Sequence, residues 1–360
     1  MYLGIVAWFI FCGLICNDNR KKVASDKSFY YMFFPLLVLV MGLRSASVGV
    51  DTRSYIMAFE LASNHSIKEI INGDLHLAVE PLYLIFMKVI SWIANDYYVF
   101  QVIYAIIYCS GMGFFIKNNT DKPLFATALF LGLDLYLNAF NLQRQMLAVM
   151  LSLLAWESMK KQKLKRTILF FVIAFCFHRT AIVFVLASLI YFCRKNKTVL
   201  RIITLAIIAM SIRFNTILEW LSLNVSEYKN YYGNHKMIQT AGGVWIIWII
   251  VIIMSVITIM MKEKDAFDNN DNNKSVVKDD KVIAIFSLLY IIPNIIGLYF
   301  NSAQRIGLYF LPFVILLFIN FERVLNESYR LKYRYGVMIC FLAYFILTSQ
   351  SSQYDYHFCF

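Results

Sequence analysis

Long apolar runs separated by short polar ones dominate the chain. The runs are about 15 to 20 residues each, enough for an α-helix to cross about 30 Å of hydrocarbon, and they lack the alternation of barrel strands. The pattern predicts membrane helices over 2–16, 29–43, 97–116, 124–140, 146–159, 199–214, 244–261, 282–300, 306–321 and 335–348. Two stretches are irregular: 81–94 is short for a full crossing, and 168–192 is apolar on both sides of "HRT" at His178 to Thr180. The expected fold is an all-α polytopic membrane protein with ten to twelve transmembrane or re-entrant helices, forming one integral membrane domain over 1–360.

Composition agrees, since 60% hydrophobic residues against 16% charged cannot make a water-soluble surface. The chain has a net charge of +12, and its lysines and arginines cluster in "NDNRKKVASDKS" (17–28), "KKQKLKR" (160–166), "CRKNKTVLR" (193–201), 262–281 and "ERVLNESYRLKYR" (322–334). The positive-inside rule makes these loops cytoplasmic. Their charge sets topology and meets anionic membrane lipid, so no nucleic-acid partner is needed. With 160–166 and 193–201 both inside, 168–192 enters and returns as two half-length helices meeting at His178. Parity then requires that either 81–94 or 124–140 not cross fully. The first apolar run has no basic leader and a basic downstream flank, as expected of a retained anchor with its N-terminus outside. The Asp-, Asn- and Lys-rich loop 263–281 reads as a mobile cytoplasmic linker. No Walker loop, dinucleotide fingerprint or internal repeat is present. The seven cysteines show no Cys-x-x-Cys or metal spacing, which predicts neither a disulfide framework nor a zinc site.

This topology gathers the remaining polar residues on the outer side, in the loop 44–79, "NLQRQ" (141–145), the "HRT" tip, the loop 215–243 and "NSAQR" (301–305). Charges near a membrane segment cost a few kcal/mol at the bilayer centre and so face a bundle interior or a wet cavity. Arg144 stands at a helix start, where a cation is a poor match for the positive helix end. A phosphate would satisfy both the guanidinium and the open backbone N–H groups. Arg305, with Asn301 and Gln304 before it and Tyr309 one turn later, repeats that arrangement, and Arg44 adds a third guanidinium or a headgroup anchor. His178 and Arg179 bring a titratable imidazole and a further cation to the hairpin tip, although a lone membrane histidine is often a packing residue. Asp51 and Glu80 are the carboxylates that could serve as a base. Asp51 after Gly49 also suits a helix N-cap accepting from the N–H of Arg53 or Ser54, and Glu80 before Pro81 suits the first-turn dipole. Arg53 and Glu60 read as loop surface. The other histidines, at 65, 76, 235 and 357, read as solvated. The aromatic loop 226–236 could stack on sugars or form an interfacial tyrosine belt.

Five pieces in order, "GLRSASVGVDTRSYIMAFE", "EPLYLIFMKVI", "NLQRQMLAVML", "FHRTAIVF" and "QRIGLYFLPF", resemble the EpsG family of exopolysaccharide proteins, relatives of Wzy-type O-antigen and capsule polymerases. The resemblance rests on Arg44, Gly49, Asp51 and Tyr55, then Glu80 and Tyr83, then Asn141, Arg144, Gln145 and Ala148, then His178, Thr180 and Ala181, then Arg305 and Tyr309. It implies a glycosyltransferase C-like bundle in the bacterial cytoplasmic membrane, joining undecaprenyl-diphosphate-linked oligosaccharide repeats at its outer face. A chain-length regulator and a flippase of the same pathway are the implied partners. The chemistry needs cations on the departing diphosphate and a base at the acceptor hydroxyl. The expected catalytic set is Asp51, Glu80 and His178. The expected diphosphate and substrate set is Arg44, Arg144, Arg305, Gln145, Asn141, Tyr55, Arg179 and Tyr309. No cofactor or metal is expected, since arginines can neutralise the leaving group and no Asp-x-Asp appears. Transfer is expected to invert the anomeric centre. The loop 215–243 is the expected seat of repeat-unit specificity. Two alternatives stand beside this reading: a lipid-linked oligosaccharide flippase, which should show internal repeats or deeper charges, and an O-antigen-type ligase, distinguished only by its acceptor. A membrane acyltransferase would need a second polar partner for His178.

Overall fold

Local signals set where the helices begin. Asp96 caps the helix Tyr97–Asn119 by accepting from the Tyr98 N–H at 2.7 Å. Prolines 81 and 123 stand at the first turn of Pro81–Ser91 and Pro123–Gly132, where their missing N–H costs nothing. Ser66 and Glu69 close a capping box at the start of Ile67–Asn72. A computed structural model describes residues 1–16, 22–194, 196–212, 243–260, 272–298 and 301–360. The protein is an all-α polytopic membrane protein.

The chain divides into two compact units, Met1–Ile182 with Leu331–Phe360, and Val183–Arg330. In the first, the helices run in the order α1 (Tyr2–Cys16), α2 (Lys22–Gly42), α3 (Thr52–Asn64), α4 (Ile67–Asn72), α5 (Pro81–Ser91), α6 (Tyr97–Asn119), α7 (Pro123–Gly132), α8 (Leu135–Asn141), α9 (Gln143–Lys160) and α10 (Leu164–Phe177). The helix Glu327–Ser349 also contributes to this unit from Leu331 onward. Helix α6 packs on α2 and α9, α9 on α10, and α5 on both α3 and α10. In the second unit, Asn272–Gly297 is the central helix, touched by Lys197–Ile212, Gly243–Met260, Asn301–Gly307 and Leu311–Phe321. Phe184, Phe286, Phe310 and Phe313 interlock there edge to face and stacked.

Among the described residues, Tyr97–Asn119, Asp279–Gly297 and Glu327–Ser349 are each long and apolar enough to cross a membrane. The pair α7 and α8 passes the same test together but is bent by 45°, so the span expected over 124–140 is a broken one. The break falls at Asp134, whose φ of 57° lies in the left-handed region. Tyr104 and Tyr108 of α6 donate at 2.8 Å to the carbonyls of Ala139 and Leu135. They thereby serve backbone groups near the bend, which lipid could not do. The other irregular stretch, α5, has 11 residues and rises about 16 Å, half of a hydrocarbon core. Helix α10 ends at Phe177 and a 3-10 turn, Arg179–Ala181, follows His178, so the apolar stretch is broken at "HRT".

Three expectations change. The run 306–321 is not one helix, because the chain turns between Asn301–Gly307 and Leu311–Phe321, with Pro312 in the first turn of the latter. Residues 272–281 of the expected linker are helical, and Asp280 accepts from Asn320 and Arg323 at 2.6 and 3.2 Å. Those bonds hold the carboxylate against a neighbouring helix. The segment 44–79 is mainly two helices, α3 and α4. The loop 215–242 and its aromatic stretch lie outside the described residues.

Small residues set the closest helix approach, as membrane interfaces favour. A Cβ on Gly132 would come within 2.4 Å of the Phe341 carbonyl oxygen and 2.5 Å of its Cβ. Gly132→Val should therefore force the two helices apart and cost about 1–3 kcal/mol, read as a lowered thermal unfolding midpoint in detergent. A midpoint equal to wild type would refute this packing.

Candidate functional site

The site is built on Glu80. The residue precedes Pro81 and takes the extended conformation that proline imposes on its neighbour, with φ −63° and ψ 135°. Its carboxylate makes no cap bond to its own helix; it turns instead to two other segments. Oε1 meets His178 Nδ1 at 2.7 Å, and Oε2 accepts from Arg144 Nη1 at 2.5 Å. The Arg179 backbone N–H adds a longer donation to Oε1 at 3.4 Å, and Arg144 also donates to the Ala78 carbonyl at 3.1 Å.

His178 reaches this position because α10 ends there. Its backbone becomes extended, with φ −159°, before the 3-10 turn Arg179–Ala181. Arg144 is the second residue of α9, whose start has no side-chain cap, and helical side chains lean back over the preceding turn. Side-chain exposures of 23% for Arg144, 20% for His178 and 11% for Glu80 leave the carboxylate innermost and the two bases toward solvent. Burial raises the Glu80 carboxyl, but the His178 hydrogen bond and the charges of Arg144 and His178 outweigh it. They hold the group down from 4.5 to about 2.

A buried polar layer supports the cluster. Tyr83, one turn after Glu80, donates at 2.8 Å to Gln143 Oε1, and Gln143 Nε2 donates at 3.0 Å to the Tyr97 hydroxyl. The Tyr55 phenol is buried within the reach of the charges of Arg144 and Asp51. Burial raises the Tyr55 phenol while the Arg144 charge lowers it, and the net direction is upward, which keeps the hydroxyl neutral.

Asp51 stands at the N-cap position of α3 but makes no side-chain cap bond, so the capping role open to it is not the one it takes. The turn before it is tightly held. Gly49 has φ +93°, and a Cβ there would lie 2.9 Å from Asn141 Oδ1 and from Thr52 Oγ1. Asn141 Oδ1 accepts from the Val50 N–H at 2.8 Å, which makes Asn141 a brace for the backbone of this turn.

Arg44 departs most from expectation. It is wholly buried, its guanidinium donates to the carbonyls of Met41 and Phe140, and it lies 4.7 Å over the Phe140 ring. That geometry ties the end of α2 to the end of α8 and leaves no face toward an outer diphosphate. Arg144, expected to await an anion, already has one in Glu80, because a half-buried cation requires a counter-charge. The parallel drawn between Arg144 and Arg305 also fails. Arg144 opens a helix, whereas Arg305 is exposed in the last turn of Asn301–Gly307, where the dipole favours a cation. Tyr309, in the same unit as Arg305, is buried. Gln145 is buried, Arg179 presents an exposed side chain, and Arg53 and Glu60 are exposed on α3. His65 bonds its own helix at Leu61 O, and His357 is an exposed partner of Asp355.

Gln143, a polar neighbour of Arg144 in the sequence, stands outside the candidate set that the sequence suggests. Its signal is its place beside Arg144 in "NLQRQM", and its side chain accepts from Tyr83. Joined together, Glu80, His178 and Arg144 form an ionised carboxylate that orients an imidazole and shares a guanidinium, an arrangement able to take a proton from a hydroxyl beside a cationic surface.

No curated protein and no solved structure matches the chain. Residues 27–359 match the EpsG family, a span that holds every member of this cluster, and the chain belongs to that Wzy-type, polymerase-like family of polysaccharide synthesis.

Proposed function

We propose that the protein is a glycosyltransferase that polymerises undecaprenyl-diphosphate-linked oligosaccharide repeats at the outer face of the bacterial cytoplasmic membrane. The observation that carries this reading is the Glu80 carboxylate held between His178 Nδ1 at 2.7 Å and Arg144 Nη1 at 2.5 Å. Glu80, held well below the ordinary carboxyl range, is too weak a base for the step itself. Its work is to accept a hydrogen bond from the Nδ1–H of His178, which keeps the proton on that nitrogen and leaves Nε2 bare. The acceptor hydroxyl of the incoming repeat gives its proton to that Nε2 as its oxygen bonds the anomeric carbon of the growing chain. The bond from that carbon to the diphosphate breaks on the opposite face, with inversion. The departing diphosphate is met by Arg144 and the exposed Arg179. Cation for the leaving group thus comes from the chain's own arginines, and transfer proceeds without a divalent metal.

Chain length on a gel, from purified protein and a purified lipid-diphosphate repeat, tests the assignment. His178→Ala and Glu80→Gln should each lower kcat by about 100-fold or more, and the double variant should be no worse than His178→Ala, because the two act as one unit. Arg144→Lys should recover little of the loss in Arg144→Ala, since a point charge does not replace a planar fork. Wild-type activity should persist in EDTA. A wild type that makes no ladder with its cognate repeat would favour the flippase reading.

The Glu80 carboxyl is depressed in the folded protein, so its contribution to stability is fully present above about pH 4.5 and is lost as pH falls toward about 2. The stability difference between wild type and Glu80→Gln should be flat from neutral pH down to that point and shrink below it. A difference that already shrinks at neutral pH would contradict the clamp. Orientation is tested separately, by placing Cys at Arg179 with exposed Cys176 and Cys340 replaced by Ser. A membrane-impermeant maleimide should label intact spheroplasts; labelling confined to inverted vesicles would place the cluster inside.

A further inference from the structure

The last ten residues do not trail away from the helical unit. They return antiparallel along the segment that follows α2. The Cys359 N–H donates to the Leu43 carbonyl at 3.0 Å, Ser45 N–H to the His357 carbonyl at 2.8 Å, and Gly49 N–H to the Gln353 carbonyl at 2.8 Å. Arg44 and Phe358 form an isolated antiparallel bridge. The Tyr356 hydroxyl donates to the Val40 carbonyl at 3.0 Å, closing the clip at its α2 end.

At the other end of the clip stands Tyr354, which is buried with its ring edge-on to Phe140 at 6.2 Å. Its hydroxyl oxygen accepts from Asn141 Nδ2 at 3.1 Å. The same carboxamide uses Oδ1 to hold the Val50 N–H at 2.8 Å. An amide has one acceptor and one donor side, so a partner for the donor side fixes which way the acceptor faces. Val50 immediately precedes Asp51, and Tyr55 follows one turn into α3. The geometry of the turn at 48–51 therefore depends on two contacts made by the tail, Gln353 O to Gly49 and Tyr354 through Asn141 to Val50.

We infer that the C-terminal tail is a positioning element of the site, in which Tyr354, acting through Asn141, holds the turn at 48–51 and with it Asp51 and Tyr55. The inference deepens the transferase reading and, in its effect on rate, rests on it. Tyr354 is a positioning residue that touches no reacting atom.

Hydrogen exchange and polymerisation of the full-length protein in nanodiscs test this with wild type, Tyr354→Phe, Asn141→Ala and the double variant. Phenylalanine retains the ring contact with Phe140, so the fold is kept while the acceptor is removed. Exchange at the Val50 amide should rise about fivefold in Tyr354→Phe, the worth of one hydrogen bond, and kcat should fall by a similar factor with KM little changed. Neither effect should grow when Tyr354→Phe is added to Asn141→Ala, because one acts through the other. Deleting 350–360 should also expose the Gly49 amide; if that variant fails to fold, the point variants decide. Unchanged Val50 exchange in Tyr354→Phe, or effects that add fully to those of Asn141→Ala, would overturn the inference. A wild type without polymer would sink the transferase reading instead, and the exchange arm alone would then decide whether Tyr354 holds the turn.

Discussion

A carboxylate that is mostly buried beside a membrane must be compensated, and Glu80 is compensated by two bases brought from distant parts of the chain. The bond to Arg144 closes a loop of 64 residues, and the bond to His178 one of 98. The start of α5, the start of α9 and the end of α10 are therefore held to one another by a single side chain. Removing either base would leave a charge in a medium that solvates it poorly. For that reason structure and chemistry share the same atoms here: the bond that fixes the imidazole is also the bond that satisfies the carboxylate.

The layers around this clamp are graded in polarity. Below it, Tyr83, Gln143 and Tyr97 form a continuous buried line of hydrogen bonds. Buried hydrogen bonds of this kind restrict their members and so couple the position of α6 to the starts of α5 and α9. Beside the clamp, Tyr55 is buried and stays neutral. Farther out, the side chain of Arg179 is exposed.

Arginine at two motif positions illustrates why residue type alone does not assign a role. Arg44 lies within the protein, bonded to carbonyls and stacked on Phe140, and its charge serves the backbone at the ends of two helices. Arg144 retains an exposed edge while pairing with Glu80. Family membership spans both positions, but burial separates them. A sequence motif records that a residue is needed; the surroundings record for what.

Much of the architecture was legible along the chain, because in lipid the length of an apolar run and the placing of Pro, Asp and Lys/Arg act locally. Helix α1 begins and ends where its apolar run does, α6 starts at the Asp96 cap, and the break at His178 follows from one polar triplet inside an apolar stretch. The polar residues that the fold gathers, among them Glu80, Asn141, Arg144 and His178, were also legible, since each stands out against apolar neighbours. Their partners were not. Whether Glu80 caps its own helix or reaches 98 residues onward to an imidazole depends on how α5 and α10 pack. That Arg44 turns inward depends on where α8 ends, and that Asn141 braces Val50 depends on a tail more than 200 residues away in sequence. Local chemistry determined the helices and named the charged residues. Tertiary packing alone decided which of those charges meet, because a hydrogen bond acts over about 3 Å and sequence distance carries no information at that scale.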